Sequence, residues 1–241
     1  MKKTIVLAMV LLLSACTAPT ADNVKTDVQT ATASERLGTQ WGDEVDSRIT
    51  SVNLRRTTKE PIDRTRLLYA NKNYHGRKVN TISLVAGRIA FSVQTDNAKL
   101  PIYRDAGNYY LKGKSGQPYR LVYRNNGHNT YEIVASVDGI DVINSRPASQ
   151  YNRGYVLRPK GTLVIEGFRK SDDAVASFIF SKPEDAYAAN TMQAKLANNT
   201  GIIGTVVYRL YDPKAIQRAE GGLQAFPADG GNHSGYAKPP Q

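Results

Sequence analysis

The chain carries one cysteine, one tryptophan and three histidines, and its 21 acidic residues are outnumbered by 32 basic ones. A single thiol excludes any disulfide within the chain, so stability has to come from a packed core. His75, His128 and His233 are widely spaced. Zinc wants three or four converging N, S or O ligands, so neither a metal nor a cofactor is expected. No Gly-x-Ser-x-Gly run presents a serine nucleophile. The apolar run from Ile5 to Leu13 is too short for a bilayer span, which takes about 20 residues. The deficit of acid leaves a formal net charge of +11, which favours anionic partners.

Lys2-Lys3, the apolar run and the small residues Ser14-Ala15 ahead of the lone Cys16 have the layout of a secretory signal. Leu13-Ser14-Ala15-Cys16 resembles the lipobox of bacterial lipoproteins. That resemblance implies a diacylglyceryl thioether on Cys16, cleavage before it and acylation of the new amino group, palmitate being a typical chain. Thr17, not Asp, follows the cysteine, so the sorting rule of that family implies an outer-membrane protein of the cell envelope, on its periplasmic or surface side. Loss of Lys2 and Lys3 would lower the net charge from +11 to +9. Export makes nucleic acid an unexpected partner despite the basic balance. The expected partners are the membrane, through the lipid, and another envelope protein or an anionic glycan or lipid.

Residues 1–15 are expected to be the signal peptide and 16–42 a lipidated tether, rich in Thr, Ala, Ser and Asp and poor in large apolar groups. Residues 219–241, with Gly221-Gly222, Gly230-Gly231 and Pro239-Pro240, are expected to be a disordered tail. Between them the chain divides into an N-terminal β extension, 43–99, and a main domain, 100–218. Apolar alternation predicts strands at Arg48 to Leu54, Thr81 to Val85, Ile89 to Val93, Asn108 to Leu111 and Tyr119 to Arg124. Further ones are predicted at Tyr131 to Val137, Ile140 to Val142, Tyr155 to Leu157, Thr162 to Glu166, Ala174 to Phe180 and Ile202 to Tyr211. The break Asn125-Asn126-Gly127-His128-Asn129 reads as a hairpin reversal, and Asp138-Gly139 as the next one. Glu184 to Leu196 is the best helical candidate, with a short turn over Pro213 to Glu220. Many short strands with turn chemistry between them give a mainly β protein: an antiparallel β-sandwich, with a barrel as the alternative, and one or two short helices.

From Leu100 onward several runs resemble a family of bacterial envelope proteins with no established activity. They are Leu100-Pro101-Ile102-Tyr103, Tyr119-Arg120-Leu121-Val122-Tyr123-Arg124-Asn125-Asn126 and Ala135-Ser136-Val137-Asp138-Gly139-Ile140-Asp141-Val142-Ile143. Arg146-Pro147-Ala148-Ser149, Gly154-Tyr155-Val156-Leu157 and Ile165-Glu166-Gly167-Phe168-Arg169-Lys170-Ser171 continue the likeness. Asp173-Ala174-Val175-Ala176, Tyr187-Ala188-Ala189 and Gly201-Ile202-Ile203-Gly204 complete it, over roughly half the chain up to about Tyr211. The chain departs from the pattern at Ser145, where the family has Gly after Ile143-Asn144.

Tyrosine is the abundant aromatic, 14 against 5 Phe. A candidate binding face combines Tyr119 and Tyr123 with Arg120 and Arg124, on opposite sides of one strand, and with Arg153, Arg158, Lys160, Arg169 and Lys170 on neighbouring loops. Guanidinium and ammonium groups in that number suit phosphate or carboxylate. Asp138 and Asp141 flank a turn glycine, where a carboxylate normally caps backbone amides. The expected function is therefore a membrane-anchored, non-enzymatic binding module. The alternatives are an envelope hydrolase using Asp138 and Asp141 on peptidoglycan or glycan, and a structural subunit of an envelope complex.

Overall fold

The structure, a computed structural model, describes residues 29–191 and 199–213, with the backbone of Gln224–Ala225. Chain order gives β1 (Gly38–Asp46), β2 (Arg55–Arg56), β3 (Asp63–Ala70), β4 (Arg77–Val79), β5 (Ile82–Leu84) and β6 (Ile89–Gln94). Then come β7 (Ile102–Asp105), β8 (Asn108–Lys112), β9 (Pro118–Asn125), β10 (Tyr131–Val137), β11 (Ile140–Asp141) and β12 (Tyr155–Leu157). The last are β13 (Thr162–Ile165), β14 (Gly167–Arg169), β15 (Ala174–Ser181), β16 (Ile202–Tyr211) and β17 (Gln224–Ala225).

These strands form two sheets, neither closed into a barrel. The first runs β1-β15-β9-β6-β5, with β13 on β9 and β14 on β15. The second runs β17-β12-β10-β16-β3-β8-β7-β4, with β11 on β10 and β2 on β16. Pairing is antiparallel apart from β3 with β8. One apolar core joins inward residues of both sheets, among them Phe91, Leu121 and Tyr123 from the first and Ile133, Val137 and Ile203 from the second. Aromatic pairs fill it: Tyr119 stacks on Phe180 at 4.1 Å and Phe91 on Tyr123 at 4.6 Å. Each fully buried large side chain contributes about 1.5–3 kcal/mol.

The mainly β sandwich follows from alternation, since Tyr119, Leu121 and Tyr123 face the core while Arg120 and Arg124 face out. Several local expectations are corrected. β9 and β10 are not a hairpin; they lie in different sheets. Residues 126–130 cross between the layers, and Asn125 holds the corner by donating Nδ2–H to the carbonyls of Asn129 at 2.7 Å and Arg158 at 2.9 Å. Residues 43–99 are no appendage either, because β3 sits between β16 and β8, and β6 between β9 and β5. The stretch expected as tether up to residue 42 already contains buried Leu37 and the first half of β1. Arg48 to Leu54 is not a strand; only Arg55–Arg56 pairs there.

The expected helix from Glu184 is only a 3-10 turn, Pro183–Asp185. Tertiary contact overrides propensity: Ala186, Tyr187 and Ala188 are buried, and the Tyr187 N–H donates to the Thr39 carbonyl on β1. Residues 192–196 of that expectation, the signal peptide, Cys16, His233, the turn beyond Pro213 and most of the tail lie outside the described residues. Within the tail, Gln224–Ala225 pairs with Val156 and Tyr155.

Candidate functional site

Of the residues expected to form one binding face, Tyr119 and Tyr123 belong to the core. The Tyr119 hydroxyl shares a hydrogen bond with Thr39 Oγ1 at 2.6 Å, and Tyr123 with Thr205 Oγ1 at 2.8 Å. Burial pushes both phenols above their ordinary pKa. Arg120 and Arg124 do share a surface, the outer face of the first sheet. With Lys99 they border a groove of about 480 Å³ over Ala90, Ser92, Val122 and Val164, where Arg120 already pairs with Asp96 at 3.1 Å.

The remaining cations scatter. Arg158 is 7% exposed and pairs with Asp212 at 3.1 Å. Arg169 is 1% exposed; it donates to the Ser47 carbonyl, to Ser47 Oγ and to the Tyr155 hydroxyl. Lys170 pairs with Glu44, Lys160 donates to the Asn126 carbonyl, and Arg153 lies near Glu132. Arg158 and Arg169 are therefore structural cross-links and not ligand contacts. Arg169→Ala is expected to cost about 3 kcal/mol through a cavity and orphaned buried acceptors. Arg124→Ala should stay within about 0.5 kcal/mol. Urea unfolding midpoints of the two variants check the contrast.

Three carboxylates are buried on or just after β10: Glu132 near its start, and Asp138 and Asp141 at the turn that follows it. Asp138 (φ 54°) and Gly139 (φ 79°) make the reversal, both in the left-handed region that an Asp-Gly turn uses. Asp138 accepts from Thr39 N–H at 2.7 Å, the Tyr69 hydroxyl at 2.6 Å and Gly201 N–H at 2.7 Å. Asp141 accepts from Ile143 N–H, Asn144 N–H and Asn152 Nδ2–H. Burial pushes each Asp up to about 6 against those stabilising donors. Glu132 is also raised by burial, with Arg56 in a two-point ion pair and Gly154 N–H holding it down. Asp138 and Asp141 do not share a cleft: the first points at β1 and β3, the second at loop 142–153. His75 and His128 are exposed. Among the described residues, no three His, Cys, Asp or Glu are grouped to hold a metal.

A second groove, about 330 Å³, lies on the outer face of the second sheet. Its floor is two cross-strand rungs. Arg64, Val206 and Val134 form one; Arg66, Gly204, Ser136 and Asp141 form the other. Strand spacing near 4.8 Å puts Arg66 and Asp141 at opposite ends, about 14 Å apart. Gly204 keeps the floor low, because a Cβ there would come within 2.5 Å of Ser136 Oγ. Loop 142–153 supplies the far wall through Ala148, Ser149 and Gln150.

That loop is pinned. Asn152 Nδ2–H reaches Asp141 at 3.0 Å, Arg56 donates to the Asn152 carbonyl, and the Tyr208 hydroxyl donates to the Gln150 carbonyl at 2.9 Å. Ser145, at φ 55°, takes a conformation glycine adopts without cost, and its Oγ accepts from the Tyr187 hydroxyl at 3.0 Å.

The chain matches no family model, no curated protein and no solved structure. The groove's volume suits a small ligand, Val134, Val206 and Ala148 give it an apolar part beside Ser136 and Asp141, and two exposed guanidiniums edge it with no ion-pair partner among the described residues. Sequence reading missed Arg64 and Arg66, although their alternation with Thr65, Leu67 and Tyr69 is a strand signal with cations on the outer face.

Proposed function

We propose that this protein is a lipid-anchored lipoprotein of the bacterial cell envelope, tethered to the outer membrane through Cys16, that works by binding and not by catalysis. The lipobox-like run Leu13-Ser14-Ala15-Cys16 supports the anchor. The observation that carries the binding role is the groove edged by Arg64 and Arg66 over Val134 and Val206. A ligand with an anionic head and an apolar body fits it, an envelope lipid or a substituted acidic glycan being the class expected. Binding is favoured over hydrolysis because the lone pairs of Asp138 and Asp141 are taken by the fold's own donors.

The test is mass spectrometry of what is released on denaturing protein purified from solubilised membranes. The wild type should release an anionic amphiphile that Arg64→Glu/Arg66→Glu lacks. Charge-assisted hydrogen bonds contribute about 1.5–3 kcal/mol each, so reversing both charges should weaken binding roughly a hundredfold or more. Equal recovery from both proteins, or none from either, contradicts the assignment.

A further inference from the structure

The described chain begins at a particular edge of the second sheet. Gln29 N–H donates to the Tyr110 hydroxyl at 3.2 Å, and the Gln29 side chain bonds Asp105 at 2.8 Å and the His75 backbone. Ala31 packs against the small apolar cluster of Ala70, Tyr74 and Tyr110. The lipid-bearing Cys16 of the proposed reading stands 13 residues earlier. Such a length cannot extend beyond about 45 Å. The β4–β7–β8 edge is thus where a tether from the bilayer meets the fold.

That edge is basic. Arg77 and Arg104 stand directly opposite each other on β4 and β7, both exposed, with Lys78 beside them. Like charges opposed across a ladder are destabilising, and no ion pair relieves either arginine among the described residues. Arg104 finds only the Tyr109 ring, 5.9 Å away. Lys72 and Lys112 flank the same segment, donating to the Thr30 carbonyl and Asn73 Oδ1. Asp105 and Glu35 lie on this side too, held by Gln29 and Thr32, but against Lys72, Arg77, Lys78, Arg104 and Lys112 they leave the edge net positive.

We infer that this edge, around Arg77, Lys78 and Arg104, lies against a leaflet containing anionic phospholipid and orients the tethered domain on the bilayer. Its electrostatic opposition is relieved by lipid phosphates within a Debye length of the surface. The inference rests on the proposed lipid anchor for its orientation, but its test does not use the anchor.

The chain from residue 16 onward, with Cys16→Ser and no acyl groups, is sedimented with vesicles of phosphatidylcholine alone and of phosphatidylcholine mixed with phosphatidylglycerol. Binding should appear only with phosphatidylglycerol and fall as salt rises. Arg77→Glu/Lys78→Glu/Arg104→Glu should weaken it at least about a hundredfold, since loss of each basic residue near the surface costs roughly fivefold before the added repulsion. A charge-matched control, Lys59→Glu/Arg146→Glu/Lys182→Glu, should bind nearly as the parent does. Circular dichroism confirms that both variants fold. No binding to anionic vesicles, or equal losses in the two variants, overturns the inference; the edge charges would then only keep an open strand from pairing with another chain. A failed anchor shows separately, as absence of lipid on Cys16 in cells.

Discussion

Asp138→Ala should lower the unfolding free energy by about 4 kcal/mol, much of the 5–15 kcal/mol that a domain usually has. Its carboxylate gathers donors from three places: Thr39 on β1, the Tyr69 hydroxyl on β3, and Gly201 before β16. Truncation leaves two backbone N–H groups without an acceptor in a dry interior, each costing about 1–3 kcal/mol. It also puts alanine at φ 54°. Asp138→Asn tolerates that backbone but sets an amide N–H against a donor, so its loss should be intermediate. Urea denaturation followed by circular dichroism reads both, and a loss under about 1 kcal/mol for the alanine variant would contradict the buried network. The same carboxylate sets a pH dependence. With folded values near 6 for Asp138 and Asp141 against the ordinary 3.8, the folded state keeps protons that the unfolded state has released. Their combined effect makes stability fall as pH rises from about 4 to about 6 and then level off. Replacing Asp138 by Asn should flatten that slope.

Cys16→Ser should move the protein from the membrane fraction to the soluble fraction almost completely. Each buried methylene contributes about 0.8 kcal/mol, and one acyl chain binds only marginally, so lasting attachment needs several. The diacylglyceryl and N-acyl groups implied by the lipobox resemblance supply them, and all depend on one sulfur and the cleavage beside it. The basic β4–β7–β8 edge adds only reversible attraction that salt screens. Carbonate or high-salt washing of membranes should therefore release the serine variant and leave the wild type in place.

What could be read from the sequence depended on how local the cause was. Tyr119, Leu121 and Tyr123 alternate with Arg120, Val122 and Arg124, and the structure turns the tyrosines inward and the arginines outward. Period-two patterning names a strand's faces but not its neighbours, so β9 and β10 read as a hairpin although they meet across the core. β1 escaped notice because its register shifts between Trp41 and Glu44, breaking the alternation, and because most of its side chains are polar. β3 escaped because its outward positions carry Arg64 and Arg66. Arg158 and Arg169 were expected on the surface since an isolated cation belongs in water. Their partners, Asp212 and Ser47, are 54 and 122 residues away, and only the folded chain brings them together. The groove has the same origin: Arg66, Gly204, Ser136 and Asp141 come from four strands.

The most direct test of a tethered binding module is the intact mass of the protein extracted from cell membranes. The account predicts a chain that starts at residue 16 and carries diacylglyceryl and N-acyl groups. A chain that keeps residues 1–15, or one with a bare thiol at Cys16, would contradict it.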